Sequence, residues 1–373
     1  MRGEPWPLLT VITSLAIPIE IAEVAFRLWS ARHDGHLDHL TQNIFPIWFT
    51  SASTVAAIRL LGIPRRRWLA SILLTGLLMG LPLTTVYPNR TLWWPRGRDE
   101  EEFAAKYRAL AREDVFYLQS KLLEDQLAKI KPGRPGVIDL YFIGLAAYAY
   151  QDVFMKEVQS MTKLFDERFD TAGRSLMLIN NATTVRTSPI ASATGLGIAL
   201  KRFSQLMDRD QDILFLFITS HGSKEHGVAF EFEPLDFDQL DPKRLKKLLD
   251  QYGIRRRVVI VSACYSGQFV DALQDEDTLV ISASATDRNS FGCSNDADFT
   301  YFGKAYFEAL QQTYSFSDAF ELAKPLIAKR EREGHYTHSD PRIFVGQSIK
   351  RALEDFASNR ESSVKAKSAA VVE

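Results

Sequence analysis

The sequence predicts an α/β fold in which a mostly parallel sheet carries helices on both faces, and three observations predict it. Ile213-Leu214-Phe215-Leu216-Phe217-Ile218 and Val258-Val259-Ile260-Val261 are continuous apolar runs of strand length. Strands buried on both faces of a parallel sheet read this way, whereas half-buried strands alternate. Between Val137 and Val345 such runs alternate with segments at helical spacing, the pattern of a sheet covered on both sides. Finally, the two runs stop abruptly at reactive side chains, His221 and Cys264, 43 positions apart, each followed by small or Gly residues. Ligands and chemistry in parallel sheets gather just past the carboxyl ends of the strands.

Taken in order, the chain opens with about ninety residues holding long uncharged stretches. Trp68 to Tyr87 is twenty residues without a charge, enough to cross a hydrocarbon core of about 30 Å. Leu40 to Ile58 is a second such run, ended by Arg59; Pro5 to Ile19 is shorter and is followed by Glu20 and Glu23. Residues 1–90 are therefore expected to be a membrane anchor of two or three transmembrane helices. The Arg65-Arg66-Arg67 cluster between the second and third runs is expected to stay cytoplasmic. That places the chain beyond Tyr87 outside, which in a bacterium is the periplasmic side of the inner membrane.

Residues 91–131 read as an amphipathic linker helix, with Phe103, Tyr107, Leu110, Phe116, Leu123 and Leu127 at helical spacing. Lys131-Pro132-Gly133-Arg134-Pro135-Gly136 then breaks the chain. The α/β domain, 132–357, is expected to run as strand 137–145, helix 151–165, strand 175–180, helix 194–207 and strand 213–219. A helix opened by Asp241-Pro242 and closed by Gly253 follows, then strands 258–262 and 278–284. Helices at 300–312 and 317–332 and a strand at 342–345 complete it. The Ser-, Lys- and Ala-rich residues 358–373 are expected to be disordered.

Composition narrows the function. A net charge of -1 argues against nucleic acid as the main partner. Two cysteines, Cys264 and Cys293, offer neither a disulfide framework nor a zinc pair. His33, His36 and His39 recur every third residue but lie in a short polar loop with no sulfur ligand, so no metal and no cofactor is expected.

The residues instead support acyl transfer. The thiolate is the nucleophile, and an imidazole at His221 together with the start of a helix at Gly267 would favour it at Cys264. Gly222 allows a backbone N–H to approach a substrate closely. Paired with the Cys264 amide it would form an oxyanion hole. His226 follows no buried strand and reads as a surface-loop residue.

The motifs carry a resemblance. Thr219-Ser220-His221-Gly222-Ser223 and Ser262-Ala263-Cys264-Tyr265-Ser266-Gly267 resemble the His-Gly-Ser and Glu-Ala-Cys-x-Ser-Gly blocks of legumain-like cysteine peptidases. Ser282-Ala283-Ser284-Ala285-Thr286-Asp287 and Phe299-Thr300-Tyr301-Phe302-Gly303 resemble the later blocks that line the substrate cleft. With Asp287 to Cys293 the stretch is most similar to a bacterial branch with membrane-spanning N-termini. The resemblance implies a caspase-like three-layer α/β/α sandwich and a His221/Cys264 dyad that cleaves peptide bonds. It also implies substrate-binding roles for Ser262, Ser282 and Ser284, with Asp296 and Asp298 as candidates for a pocket reading a basic side chain or an amide.

The chain departs from the family at three points. Ser262 stands where legumain has an acidic residue two before the cysteine, and Ala147 and Ala149 stand where it has Asn and Arg after the first strand. Asn180, Asn181 and Arg186 are candidate substitutes. The expected function is a membrane-anchored cysteine endopeptidase acting on peptide or protein substrates. The alternatives are a transamidase using the same dyad and a non-catalytic receptor of caspase-like fold.

Overall fold

The structure, a computed structural model, describes residues 108–370 and the isolated positions Pro64 and Trp68. The chain divides into two compact units, Met1–Pro95 and Arg96–Glu373. Apart from Trp68, the three expected membrane segments and His33, His36 and His39 lie outside the described residues. No helix among the described residues is long and apolar enough to cross a membrane.

The second unit is built on a six-stranded sheet. Its strands are β1 (Leu140–Ala146), β2 (Ser175–Ile179), β3 (Ile213–Thr219), β6 (Arg257–Ser262), β7 (Thr278–Ser282) and β8 (Arg342–Val345). The order is β2-β1-β3-β6-β7-β8, with all neighbours parallel except β8, which runs antiparallel at the edge. A two-stranded ribbon, β4 (Gly222–Ser223) and β5 (Gly227–Val228), projects beyond the end of β3. It escaped the sequence reading because two residues per strand carry no periodicity.

The apolar runs are explained by two cores, one on each face of the sheet. Phe142, Phe215, Phe217, Val258, Ile260 and Ile281 point one way, toward α2 (Asp152–Arg168), α6 (Tyr301–Leu310), α7 (Phe316–Glu333) and α8 (Gln347–Ala370). Their neighbours Tyr141, Ile143, Leu214, Leu216, Val259 and Val261 point the other way. They meet α1 (Glu113–Ala128), α3 (Ala193–Leu206), α4 (Pro242–Gln251) and α5 (Gly267–Leu273). Successive side chains of a strand alternate faces, so a strand with a core on each side must be apolar throughout. Each fully buried side chain of this size contributes roughly 1.5–3 kcal/mol. The three-layer α/β/α arrangement follows.

Helix starts are chemically marked. Ser192, Asp241, Thr300 and Ser315 cap α3, α4, α6 and α7, each accepting a bond from a backbone N–H three residues on. Such caps are worth about 1 kcal/mol each. Several boundaries move. The helix expected over 91–131 is α1, Glu113–Ala128, preceded among the described residues by turns at 109–112. Helix α2 runs on to Arg168, and β7 stops at Ser282. β1 begins at Leu140 rather than Val137, because Gly136 takes a left-handed turn at φ 73° and the chain straightens only after it. Helix α8 runs to Ala370, through the residues expected to be disordered. Its first turns bury Ile349, Ala352, Leu353 and Phe356 at helical spacing, and the Arg, Glu, Lys and Ala content beyond them propagates a helix once nucleated.

Candidate active site

The register of β3 and β6 sets the site. Thr219 pairs with Ser262, and the Ser220 amide donates to the Ser262 carbonyl at 3.3 Å. His221 and Cys264 each lie two residues past that pair, so adjacent strands deliver imidazole and thiol at the same level. The backbones beyond the strands touch: a Cβ on Gly222 would overlap the Cys264 carbonyl oxygen. Only glycine permits that approach.

The His221 ring is held edge-on by Tyr148 and Phe154, with centroids 4.6 Å and 5.3 Å away. Its Nε2 faces Gln151 Oε1 at 2.6 Å. The other end of that amide, Nε2, donates to the Cys293 carbonyl at 3.1 Å. A carboxamide that spends its NH2 on a carbonyl presents its oxygen to the ring, so the imidazole nitrogen facing it is an N–H. The bonding pattern thus assigns the Nε2–H tautomer and leaves the Nδ1 lone pair as the basic position. Burial lowers the His221 pKa below its ordinary value, which keeps the ring neutral at neutral pH.

Cys264 is half-buried and free. Its Sγ donates to the Ser290 carbonyl at 3.4 Å and accepts from the Ser290 amide at 3.3 Å. The next residue, Tyr265, is in the left-handed region at φ 58°, its amide donating to Arg288 O at 2.8 Å. A side-chain-bearing residue there costs on the order of 1–2 kcal/mol, a strain that the surrounding bonds hold in place and that turns the chain sharply after Cys264. Helix α5 starts at Gly267 as expected, but its seven residues make it a small source of dipole field. Cys293 is half-buried and free, and burial, with the Cys264 and Glu157 charges, pushes its thiol up to about 12. It is protonated and unreactive at neutral pH.

The expected substrate-pocket residues are placed differently. Ser262, Ser282 and Ser284 are buried and their hydroxyls are spent inside the protein. Ser262 Oγ pairs with Thr300 Oγ1 at 3.1 Å, Ser282 Oγ donates to Ser284 O at 2.9 Å, and Ser284 Oγ donates to Ala263 O at 3.2 Å. All three hydroxyls are thus taken up by partners inside the protein. Asp296 and Asp298 are exposed, and Asp298 is paired with Lys156 of α2 at 3.1 Å. Among the described residues no hydrogen bond or ion pair joins either aspartate to His221 or Cys264. Of the candidate substitutes, Asn180 and Asn181 are buried, bonding Ala147 O, Ala191 O and Asp152, while Arg186 pairs with Asp114. His226 is exposed beside Glu225. No cluster of metal-ligating side chains occurs among the described residues.

Three residues escaped the sequence reading. Gln151 and Ser290 carry no local signature, since a lone Gln before a helix and a lone Ser in a loop are commonplace. Glu157 had one: it interrupts the apolar stripe Val153, Phe154, Val158, Met161, Phe165 of α2. Its carboxyl is fully buried and accepts from Thr219 Oγ1, from Thr300 Oγ1 at 2.8 Å and from the Thr300 amide at 3.3 Å. Burial raises its pKa to about 7 against the lowering effect of those bonds.

Residues 191–349 match the Peptidase C13 family. No curated protein matches the chain in sequence. Among solved structures, caspase-1 from Spodoptera frugiperda aligns at 11% identity over 58% of this chain and 88% of that chain, with a TM-score of 0.40. Residues 191–349, the stretch similar to the Peptidase C13 family, contain both His221 and Cys264.

Proposed function

We propose that the protein is a cysteine endopeptidase that hydrolyses peptide bonds through a thioester on Cys264, with His221 as general base and acid. The observation that carries this reading is the delivery of the two side chains from one register position of adjacent strands, with Gln151 leaving Nδ1 of His221 basic. The thiol proton passes to the imidazole, and the thiolate attacks the scissile carbonyl carbon. The developing oxyanion is met by backbone N–H groups. The Cys264 amide makes no hydrogen bond among the described residues and serves there, with the Gly222 amide beside it. Imidazolium then protonates the leaving amine, water is deprotonated by His221, and attack on the thioester releases the acid and restores the thiol.

Cys264→Ala is expected to abolish turnover of a peptide library, and His221→Ala to lower kcat/KM by roughly 10³-fold or more, because base and leaving-group acid are lost together. Mass spectrometry of the products reads both. A C264A variant as active as wild type would remove the mechanism. Products joined to an added amine, in place of free acids, would assign transamidation.

We place the enzyme at a membrane through the apolar runs of residues 1–90, with the catalytic unit on the outer side because Arg65-Arg66-Arg67 stays inside. A periplasm-dependent reporter fused after Glu373 is expected to be active; activity of a cytoplasm-dependent reporter there would reverse the orientation.

A further inference from the structure

Glu157 has no place in the acyl-transfer steps, yet its buried carboxyl accepts hydrogen bonds from the last residue of β3 and from the cap of α6. Its carboxyl is fully buried on the apolar face of α2, where an ionisable group is costly unless its oxygens are satisfied. No ion pair reaches it among the described residues. Instead one oxygen, Oε2, accepts from Thr219 Oγ1, on the last residue of β3 and two before His221. The other, Oε1, accepts from Thr300, whose Oγ1 also pairs with Ser262 Oγ, on the last residue of β6 and two before Cys264. Thr300 Oγ1 additionally caps α6 by accepting from the Gly303 amide at 2.9 Å. The space is made by Gly303: a Cβ there would coincide with Glu157 Oε1.

We infer that Glu157 is a positioning residue that braces the ends of β3 and β6 against each other and so fixes the separation of His221 and Cys264. The inference rests on the peptidase reading for its meaning, but the brace is a property of the fold. Helix α2 contributes twice: Gln151, at its N-cap, orients the imidazole directly, and Glu157, six residues on, fixes the strand that carries it. A fully buried carboxyl touches no substrate, so its loss affects the chemical step and not binding. A carboxamide at the same place can donate to Thr219 Oγ1 and accept from Thr300, so glutamine preserves the brace where alanine removes it.

The test compares full-length wild type, Glu157→Gln, Glu157→Ala and the single-tie variants Thr219→Val and Ser262→Ala. The first readout is the rate at which iodoacetamide alkylates Cys264, followed on its own peptide by mass spectrometry; it needs no substrate. The second is kcat and KM on a peptide substrate. Expected for E157A is a roughly 10-fold slower alkylation and a kcat lower by about 100-fold with KM within about 2-fold, and for E157Q both rates within about 3-fold of wild type.

Alkylation of E157A at the wild-type rate, a KM that rises as far as kcat falls, or E157Q no better than E157A would overturn the inference. Should E157A lose cooperative melting, T219V and S262A decide: slower alkylation in both supports the brace, and wild-type alkylation in both overturns it. A wild type that cleaves no peptide would end the peptidase reading and leave the alkylation comparison to judge the brace alone.

Discussion

Gln151 decides what His221 can do. A neutral imidazole offers one donor and one acceptor, and a carboxamide pinned at its NH2 end by the Cys293 carbonyl permits one assignment. Gln151→Ala is expected to lower kcat by about 10- to 100-fold with little change in KM, the size typical of an orienting partner. Steady-state kinetics checks it; an unchanged kcat would show that Tyr148 and Phe154 alone hold the ring. The placement of His221 and Cys264 at the ends of neighbouring strands was readable in the sequence, because each follows a buried apolar run. Gln151 was not, because its partners lie 70 and 142 positions away and only the fold brings them together. Ser262, Ser282 and Ser284 were readable as residues at strand ends, but the partners of their hydroxyls were not. Chain order shows that a serine sits at a strand end, but not that Thr300 or Ala263 takes up its hydroxyl.

Helix α2 is coupled to the sheet through a carboxyl whose titration is measurable. Glu157 rises from 4.5 to about 7 on burial, so between those values the folded protein holds a proton that the unfolded chain has released. The stability it contributes is fully present below pH 4.5 and is lost as pH rises through about 7. His221 has the opposite sign. Its pKa is lowered in the fold, so its contribution is present above the ordinary histidine value and is lost as pH falls below it. Urea midpoints at about pH 5 and pH 8 are expected to fall further in wild type than in Glu157→Gln, by on the order of 2–3 kcal/mol of unfolding free energy. Parallel pH profiles for the two proteins would show that Glu157 stays ionised in the fold. The elements themselves were largely legible, since continuous apolar runs at 213–218 and 258–261 and the Asp241-Pro242 helix start admit few readings. The extension of α8 to Ala370 was not, because helix propensity beyond Phe356 shows only once the buried first turns nucleate it.

The second unit gathers the candidate site at the carboxyl ends of β3 and β6, between the two cores that bury those strands on both faces. Residues from four segments meet there: Tyr148 to Glu157, Thr219 to Gly222, Ser262 to Tyr265, and Arg288 to Thr300. The last of these bonds to two of the other three, Tyr148 to Glu157 and Ser262 to Tyr265. Arg288 O holds the Tyr265 amide, Ser290 holds the thiol, Cys293 O holds Gln151, and Thr300 holds Glu157. The account depends on a covalent acyl group forming at one sulfur. The most direct measurement mixes wild-type enzyme with an activated peptide ester that deacylates slowly, quenches in acid, digests and locates the added mass. The predicted result is the acyl group on the Cys264 peptide of wild type and no label in Cys264→Ala. Product formation with the acyl group on another residue, or with none bound at any time, would contradict it.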